Sequence, residues 1–220
     1  MKKLTIYLLT ALLFSGCSFD TPPNEWQYKS VNAFDSYTKN FLSSNDNLAK
    51  NDLQRAVKHA KNSSDLTHLG SIYLGECALN ISVGITDKCE KYQDIKDLIN
   101  SQTLNAYYDF LTLNIKEKQI SQLPKIYRDL VWHVKNEEFT KINNDIVKMD
   151  RPTSQLLSTS LLKDKVDNNT IERVIEVASF NGYKKAVIFW LNELKNRTND
   201  KKKITKLNKK ISILKDFTNE

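Results

Sequence analysis

Apolar residues recur every three or four positions along most of the chain after residue 31. In the first such segment, Ala33, Tyr37 and Phe41 are each four residues apart, which places them on one face of a helix. No convincing run of alternating strand residues interrupts the pattern. The sequence therefore predicts an all-α fold, with helices of about 10 to 17 residues and short connections. Further apolar stripes cover residues 53–60, 66–81, 104–115, 123–134, 139–149, 156–161, 171–178, 183–194 and 204–214.

Polar residues and glycine predict where some of these helices begin and end. Asn51 or Asp52 is placed to cap the second helix, and Ser64 or Asp65 to cap the third. Gly84 is expected to end the third helix, because glycine is the usual residue just after a helix. Residues 82–90 are then predicted to form a loop.

The helices are expected to form stacked antiparallel pairs, arranged either as a solenoid or as an irregular helical bundle. In Tyr183-Lys-Lys-Ala186-Val187 a large residue precedes Ala and Val, and this segment resembles the back helix of a tetratricopeptide repeat. Leu69-Gly70-Ser-Ile-Tyr73 matches the short front-helix element of that repeat. The resemblance implies a TPR-like solenoid, although no period of about 34 residues emerges. Residues 31–220 are predicted to be a single domain.

Composition agrees with a soluble helical domain. Hydrophobic residues make up 40% of the chain and charged residues 27%, which are ordinary values for a globular protein. Only 5 glycines and 4 prolines are present. A β-sandwich or β-barrel needs many tight turns, so this composition argues against both.

The first residues have the layout of a secretory signal. Lys2 and Lys3 are positive, Leu4 to Phe14 is almost entirely apolar, and the small Ser15 follows. The apolar run is shorter than the roughly 20 residues that a permanent membrane-spanning helix needs. The pattern therefore favours a cleaved signal over a buried core helix at the N-terminus.

Leu13-Phe14-Ser15-Gly16-Cys17 resembles the lipobox of bacterial lipoproteins, with Phe14 at a place usually held by an aliphatic residue. The resemblance implies cleavage before Cys17 and acylation of Cys17 (palmitate-type chains), which anchors the protein in a membrane. Ser18 after the cysteine, in place of the aspartate that retains family members in the inner membrane, favours the outer membrane. We thus expect a lipoprotein signal peptide over 1–16, a lipidated extended tether over 17–30, and a periplasm-facing domain.

Two further cysteines, Cys77 and Cys89, form an even pair in a chain predicted to enter an oxidising compartment. We predict a disulfide between them, with two buried free thiols as the alternative. The spacing is not that of a Cys-x-x-Cys redox motif. No histidine lies at ligand spacing from both, which argues against a metal site.

The net charge is +7, and lysine is concentrated near the C-terminus. Lys202, Lys206, Lys209 and Lys210 are a possible basic contact face for anionic lipid or an acidic partner. The alternative, which the pattern favours, is a capping helix whose outer face keeps the end of the domain soluble. Nucleic acid is not an expected partner for an exported protein.

Histidines are the candidate metal ligands. His59 and His68 flank the junction between two predicted helices and could approach each other. Only Asp52, Asp65 and Glu76 are near them in sequence, so the pattern favours surface histidines over a metal site. No metal or other cofactor is predicted.

Motifs for catalysis are also lacking. The chain contains no glycine-rich phosphate loop, no Gly-x-Ser-x-Gly and no His-Glu-x-x-His. His133 lies in an apolar stretch and is expected to be half-buried and hydrogen-bonded. Glu137 and Glu138 point in different directions on a predicted helix, and Ser63 and Ser64 are better explained as helix caps than as nucleophiles. We therefore predict no catalytic residues and no enzymatic activity.

The sequence favours a lipid-anchored envelope protein whose helical surface binds another envelope protein, as an adaptor or assembly factor. One alternative is a surface-displayed lipoprotein that contacts a host or another cell. A further alternative is an enzyme with an unrecognised site. The identity of the partner does not follow from the sequence.

Overall fold

The computed structural model describes residues 24–216, and this part of the chain is helical. It contains eleven α-helices and three short 3-10 helices, and no strand occurs within residues 24–216. The predicted all-α fold class is confirmed. The α-helices are α1 (Glu25–Leu42), α2 (Asp46–Ala60), α3 (Thr67–Ser82), α4 (Glu90–Gln93), α5 (Gln102–Leu111), α6 (Lys125–Lys135), α7 (Phe139–Lys148), α8 (Pro152–Leu161), α9 (Asn168–Phe180), α10 (Lys184–Asn196) and α11 (Lys201–Asp216). The 3-10 helices are Lys96–Leu98, Glu117–Gln122 and Lys163–Lys165.

Buried residues follow the stripes that the sequence predicts. In α10, Ala186, Trp190 and Leu194 are buried at intervals of one helical turn. In α7, Ile142 and Ile146 do the same. In α7 and α10 the stripe covers only one side of the helix, so these helices bury their apolar sides against their neighbours. No helix among residues 24–216 is long and apolar enough to cross a bilayer.

The start of α2 differs from the prediction. The helix begins at Asp46, so Asn51 and Asp52 are internal residues and not caps. The Asp52 side chain is buried, accepts a hydrogen bond from Asn40 Nδ2 of α1 at 2.7 Å and pairs with Arg55. The error arose because the first two turns of α2 are mostly polar, and the one buried apolar residue there, Ala49, gives little signal.

The boundary of the predicted tether also differs. The structure places residues 25–30 in α1. The prediction of an extended tether over 17–30 is therefore wrong for residues 25–30. Ser30 is fully buried, and its hydroxyl donates to the Ala56 carbonyl of α2 at 2.7 Å. The prediction missed this start because Glu25–Lys29 offers few apolar residues, and the ring contact there joins the half-buried Trp26 to His68.

Helix α3 lies at the centre of the N-terminal half. It packs against α1, α2, α5 and α8, and it is buried on several sides. Gly70 and Gly75 allow this close packing, because a Cβ at Gly75 would overlap the Phe34 ring of α1. The N-cap of α3 is Leu66, so the predicted cap, Ser64 or Asp65, lies one or two residues too early. The Asp65 carboxylate still accepts a hydrogen bond from Thr67 N–H at 2.9 Å.

The C-terminal half is a succession of neighbouring helices. Each helix from α6 to α11 packs against the next one in the chain, as in an array of helix pairs. The two halves meet where α3 contacts α8 and where α1 contacts α10. At the second place, Lys185 Nζ is 2.5 Å from Asp46 Oδ1 and 4.1 Å from the centre of the Phe41 ring.

Candidate functional sites

The predicted lipidation site, Cys17, lies outside the described residues. Lipid attachment and signal cleavage therefore remain predictions from the sequence. The described chain starts at Asn24, and α1 follows directly.

The predicted disulfide between Cys77 and Cys89 is present. Their sulfur atoms are 2.02 Å apart and their Cα atoms 5.2 Å apart. The bond links the buried face of α3 to the residue that precedes α4. Both cysteines are buried, so the cross-link lies within the core.

Asp87 fixes the loop that this disulfide closes. Its carboxylate accepts hydrogen bonds from Cys89 N–H and from Asn80 Nδ2, both at 2.7 Å. Cys89 has a φ of +56°, an unfavourable backbone conformation that these contacts hold in place. Among the described residues, Asp87 and the two cysteines are the only such group with ligand atoms within 4.8 Å of one another. Both sulfur atoms are bonded to each other and are not free to bind a metal, so we interpret this group as one that stabilises the loop.

An open groove of about 650 Å³ lies between α6, α7 and the start of α8. We call it the α6–α7 groove. Its lining combines acidic, basic and apolar side chains, so it offers a partner both charges and apolar surface. The lining residues are Pro124, Lys125, Ile126, Asp129, Leu130, Asp145, Lys148, Met149, Asp150 and Arg151.

His133 joins α6 to α7 beside this groove. Its Nδ1 lies 2.6 Å from Asp145 Oδ2, and its Nε2 lies 3.6 Å from Glu138 Oε2. The hydrogen bond from Lys141 is the main cause that lowers the pKa of Glu138. A histidine beside a carboxylate resembles part of a catalytic triad. Here both ring nitrogens face carboxylates, so His133 is directed at no nucleophile and acts as a link between helices.

Sequence reasoning anticipated a half-buried, hydrogen-bonded His133 but missed Asp145 and the groove. The sequence does contain a signal that His133 and Asp145 lie close together. The short connection at residues 136–138 makes α6 and α7 antiparallel, so residues at similar distances from it face each other. The groove itself depends on how α8 returns toward α6, which no local pattern specifies.

The structure gives His59 and His68 separate surroundings. The His68 ring packs edge-on against Trp26, with 5.6 Å between ring centres, and its buried Nε2 has no hydrogen-bond partner. Burial lowers the pKa of His68. Neither histidine belongs to a group with metal-ligand distances among residues 24–216. Ser63, the other candidate there, accepts a hydrogen bond from Asp65 N–H at 3.1 Å and so stabilises a turn.

The predicted basic contact face lies on α11 and is exposed. Lys202, Lys206 and Lys209 are spaced by four and three residues and so form one stripe. Lys210 borders a groove toward α9, and Lys202 and Lys206 reach the edge of the same groove. None of the four forms an ion pair with a described residue. We call the stripe of Lys202, Lys206 and Lys209 the lysine face.

Comparison with protein-family models, curated proteins and solved structures gives no match for this chain. Its function is therefore inferred from its own residues.

Proposed function

We propose that the protein is a lipid-anchored adaptor of the bacterial envelope that binds another protein through its helical surface. The anchor is Cys17, which follows a short apolar run and two small residues. Two or more acyl chains give stable membrane attachment. The disulfide between Cys77 and Cys89 supports an oxidising compartment, because such bonds are rare in the cytoplasm.

The α6–α7 groove is the observation that supports protein binding. Lys125, Lys148 and Arg151 are interspersed with Asp129, Asp145 and Asp150 around four apolar residues. A small anionic or cationic ligand would meet unfavourable charges in such a lining. A protein segment that carries both signs of charge beside apolar side chains would complement it. Helix arrays commonly bind partners in grooves of this kind.

Membrane fractionation tests the anchor. The Cys17→Ala variant should move from the membrane fraction to the soluble fraction, or remain as an unprocessed precursor that carries no acyl chain. Ser18→Ala, which keeps the cysteine, should behave like the unchanged protein. If Cys17→Ala is processed normally and still carries lipid, the anchor proposal is wrong.

Site-specific photo-crosslinking in cells tests the groove. A photoreactive residue at Lys148 should form an adduct with a defined envelope protein, while one at Lys58 on the exposed side of α2 should not. The adduct at Lys148 should fall several-fold in the double variant Lys125→Glu/Arg151→Glu, because two positive charges for the partner are reversed. Lys50→Glu/Lys61→Glu is the matched control. Equal adducts at both positions, or an adduct insensitive to the groove charges, would contradict the proposal.

A further inference from the structure

The outer side of α11 is unusual in its charge. Residues 201–215 contain seven lysines and no acidic residue. Lys202 and Lys206 are four residues apart, and Lys206 and Lys209 three apart, so like charges are neighbours on one stripe. Such pairs destabilise a helix by about 0.2–0.5 kcal/mol each. A helix that served only to keep the domain soluble could alternate lysine with glutamate and avoid this cost.

The protein itself does not neutralise this stripe. Lys203, on the side that faces α9, pairs with Glu172 at 3.0 Å. Lys185 of α10 likewise pairs with Asp46. Lys202, Lys206 and Lys209 are exposed, and their side-chain ammonium groups form no ion pair with a carboxylate among residues 24–216. These three exposed ammonium groups are therefore available to an external anion.

An apolar residue continues the same stripe. Ile213 is four residues after Lys209, which places it on the side of α11 that carries the lysines, and it is 50% exposed. The buried side of the helix, with Leu207 and Ile211, lies opposite. Binding of a helix to a membrane surface strengthens both with the apolar area that it buries and with its electrostatic attraction to anionic lipids, so Ile213 adds to the effect of the lysines.

We propose that the lysine face and Ile213 dock α11 on anionic phospholipid head groups of the membrane that holds the anchor. This inference rests on the proposed lipidation of Cys17. Seven residue steps separate Cys17 from Asn24, and a chain of that length spans at most about 25 Å. The lipid anchor therefore keeps the domain near a surface whose charge is opposite to that of α11.

The shape of the stripe favours a lipid surface over an acidic protein. Lys202 to Ile213 extends along about 16 Å of helix axis, and its members are exposed side by side. Such an open line can contact several head groups at once. Each lysine near an anionic membrane contributes about fivefold to binding, which corresponds to about 1 kcal/mol. Three lysines should together change the ratio of docked to undocked domain on the order of a hundredfold.

The test uses the full-length lipidated protein, reconstituted through its own anchor into vesicles. Ser212→Cys provides a free thiol next to Ile213, since Cys17 is acylated and the other cysteines are bonded to each other. A polarity-sensitive dye on that thiol should report an apolar environment in an equal mixture of phosphatidylcholine and phosphatidylglycerol, but not in phosphatidylcholine alone. High salt should reverse the signal, because it screens exposed charges.

Matched variants decide the outcome. Lys202→Gln/Lys206→Gln/Lys209→Gln should remove the dye response, and Lys50→Gln/Lys58→Gln/Lys61→Gln, on α2 and at its C-terminal end, should leave it unchanged. An equal response in both lipid mixtures, no response in either, or equal effects of the two triple variants would overturn the proposal. A dye response only after addition of an acidic protein would overturn it too. Flotation with neutral vesicles reports the anchor separately, so loss of anchoring is distinguishable from loss of docking.

Discussion

Gly84 lies in the loop after α3, where the chain passes close to α10. Its φ is +77°, a conformation that costs other residue types roughly 1–2 kcal/mol. A Cβ at this position would also overlap the ring of Phe189. Two independent physical reasons therefore require glycine here.

Gly84→Ala should lower the free energy of unfolding by about 2–5 kcal/mol, since overpacking adds to the backbone cost. Urea denaturation followed by circular dichroism measures the change. Gly182→Ala is the matched control, because Gly182 has a φ of +69° but no atom within 4 Å of the added Cβ. It should lose only the backbone term of about 1–2 kcal/mol. Equal losses in the two variants would show that contact with Phe189 contributes nothing.

His68 makes stability depend on pH. Burial lowers its pKa in the folded protein, so the unfolded chain binds the proton more tightly. Between the folded pKa and the unfolded value of about 6.5, the free energy of unfolding should therefore fall as the pH falls. His68→Gln should reduce this slope in denaturation measured between about pH 5 and 7. Identical slopes in the two proteins would contradict this role for His68.

At the level of elements, the α6–α7 pair depends on one polar link. His133 Nδ1 and Asp145 Oδ2 are 2.6 Å apart on partly buried sides of the two helices. His133→Ala should cost about 1–3 kcal/mol, since it leaves Asp145 without its partner. In this variant, amide hydrogen exchange should accelerate more in α6 and α7 than in α3.

A double-mutant cycle with Asp145→Asn isolates the contribution of this pair. The two single variants should each destabilise the protein, and the double variant should lose less than their sum. Glu138→Gln is the comparison, because Glu138 lies 3.6 Å from the ring and is more exposed. Additive effects of His133 and Asp145 would mean that the two side chains do not stabilise the helix pair together.

Several element boundaries were predictable because local chemistry determines them. Asp65 binds the N–H of Thr67 near the start of α3, and Gly84 follows its end, within two residues of the boundaries that the sequence indicated. The starts of α1 and α2 were not predicted, because the polar residues of their second turns are held by tertiary contacts. Ser30 bonds to Ala56 and Asp52 to Asn40, and both contacts connect residues far apart in the sequence.

At the level of the whole molecule, the periodicity of apolar residues predicted the helices but not which helices pack against each other. The contact of α3 with α8 and that of α1 with α10 join distant parts of the chain. The pairing of Asp46 with Lys185 has no local signature, since 139 residues separate them. The lysine face was visible in the sequence, while its lack of internal partners became clear only when the surrounding helices were in place.

The disulfide is the one covalent long-range link within the described core, and it belongs to this scale because it secures the central helix. It joins residues 12 apart, and a closed loop of this size stabilises a protein by about 3 kcal/mol in the chain-entropy model. Cys77→Ala/Cys89→Ala should therefore lower the free energy of unfolding by about 3 kcal/mol in urea denaturation.

A reductant distinguishes the effect of the disulfide bond from the effect of losing two buried sulfur atoms, because reduction breaks the bond but keeps both sulfurs. Full reduction should shift the urea midpoint of the unchanged protein toward that of Cys77→Ala/Cys89→Ala, and it should leave the double variant unaffected. Thiol counting establishes that reduction is complete. Because α3 contacts helices from both halves, the loss should appear as one cooperative transition at lower urea rather than as local opening of the loop. A fully reduced protein with an unchanged midpoint would show that packing around α3 suffices without the bond.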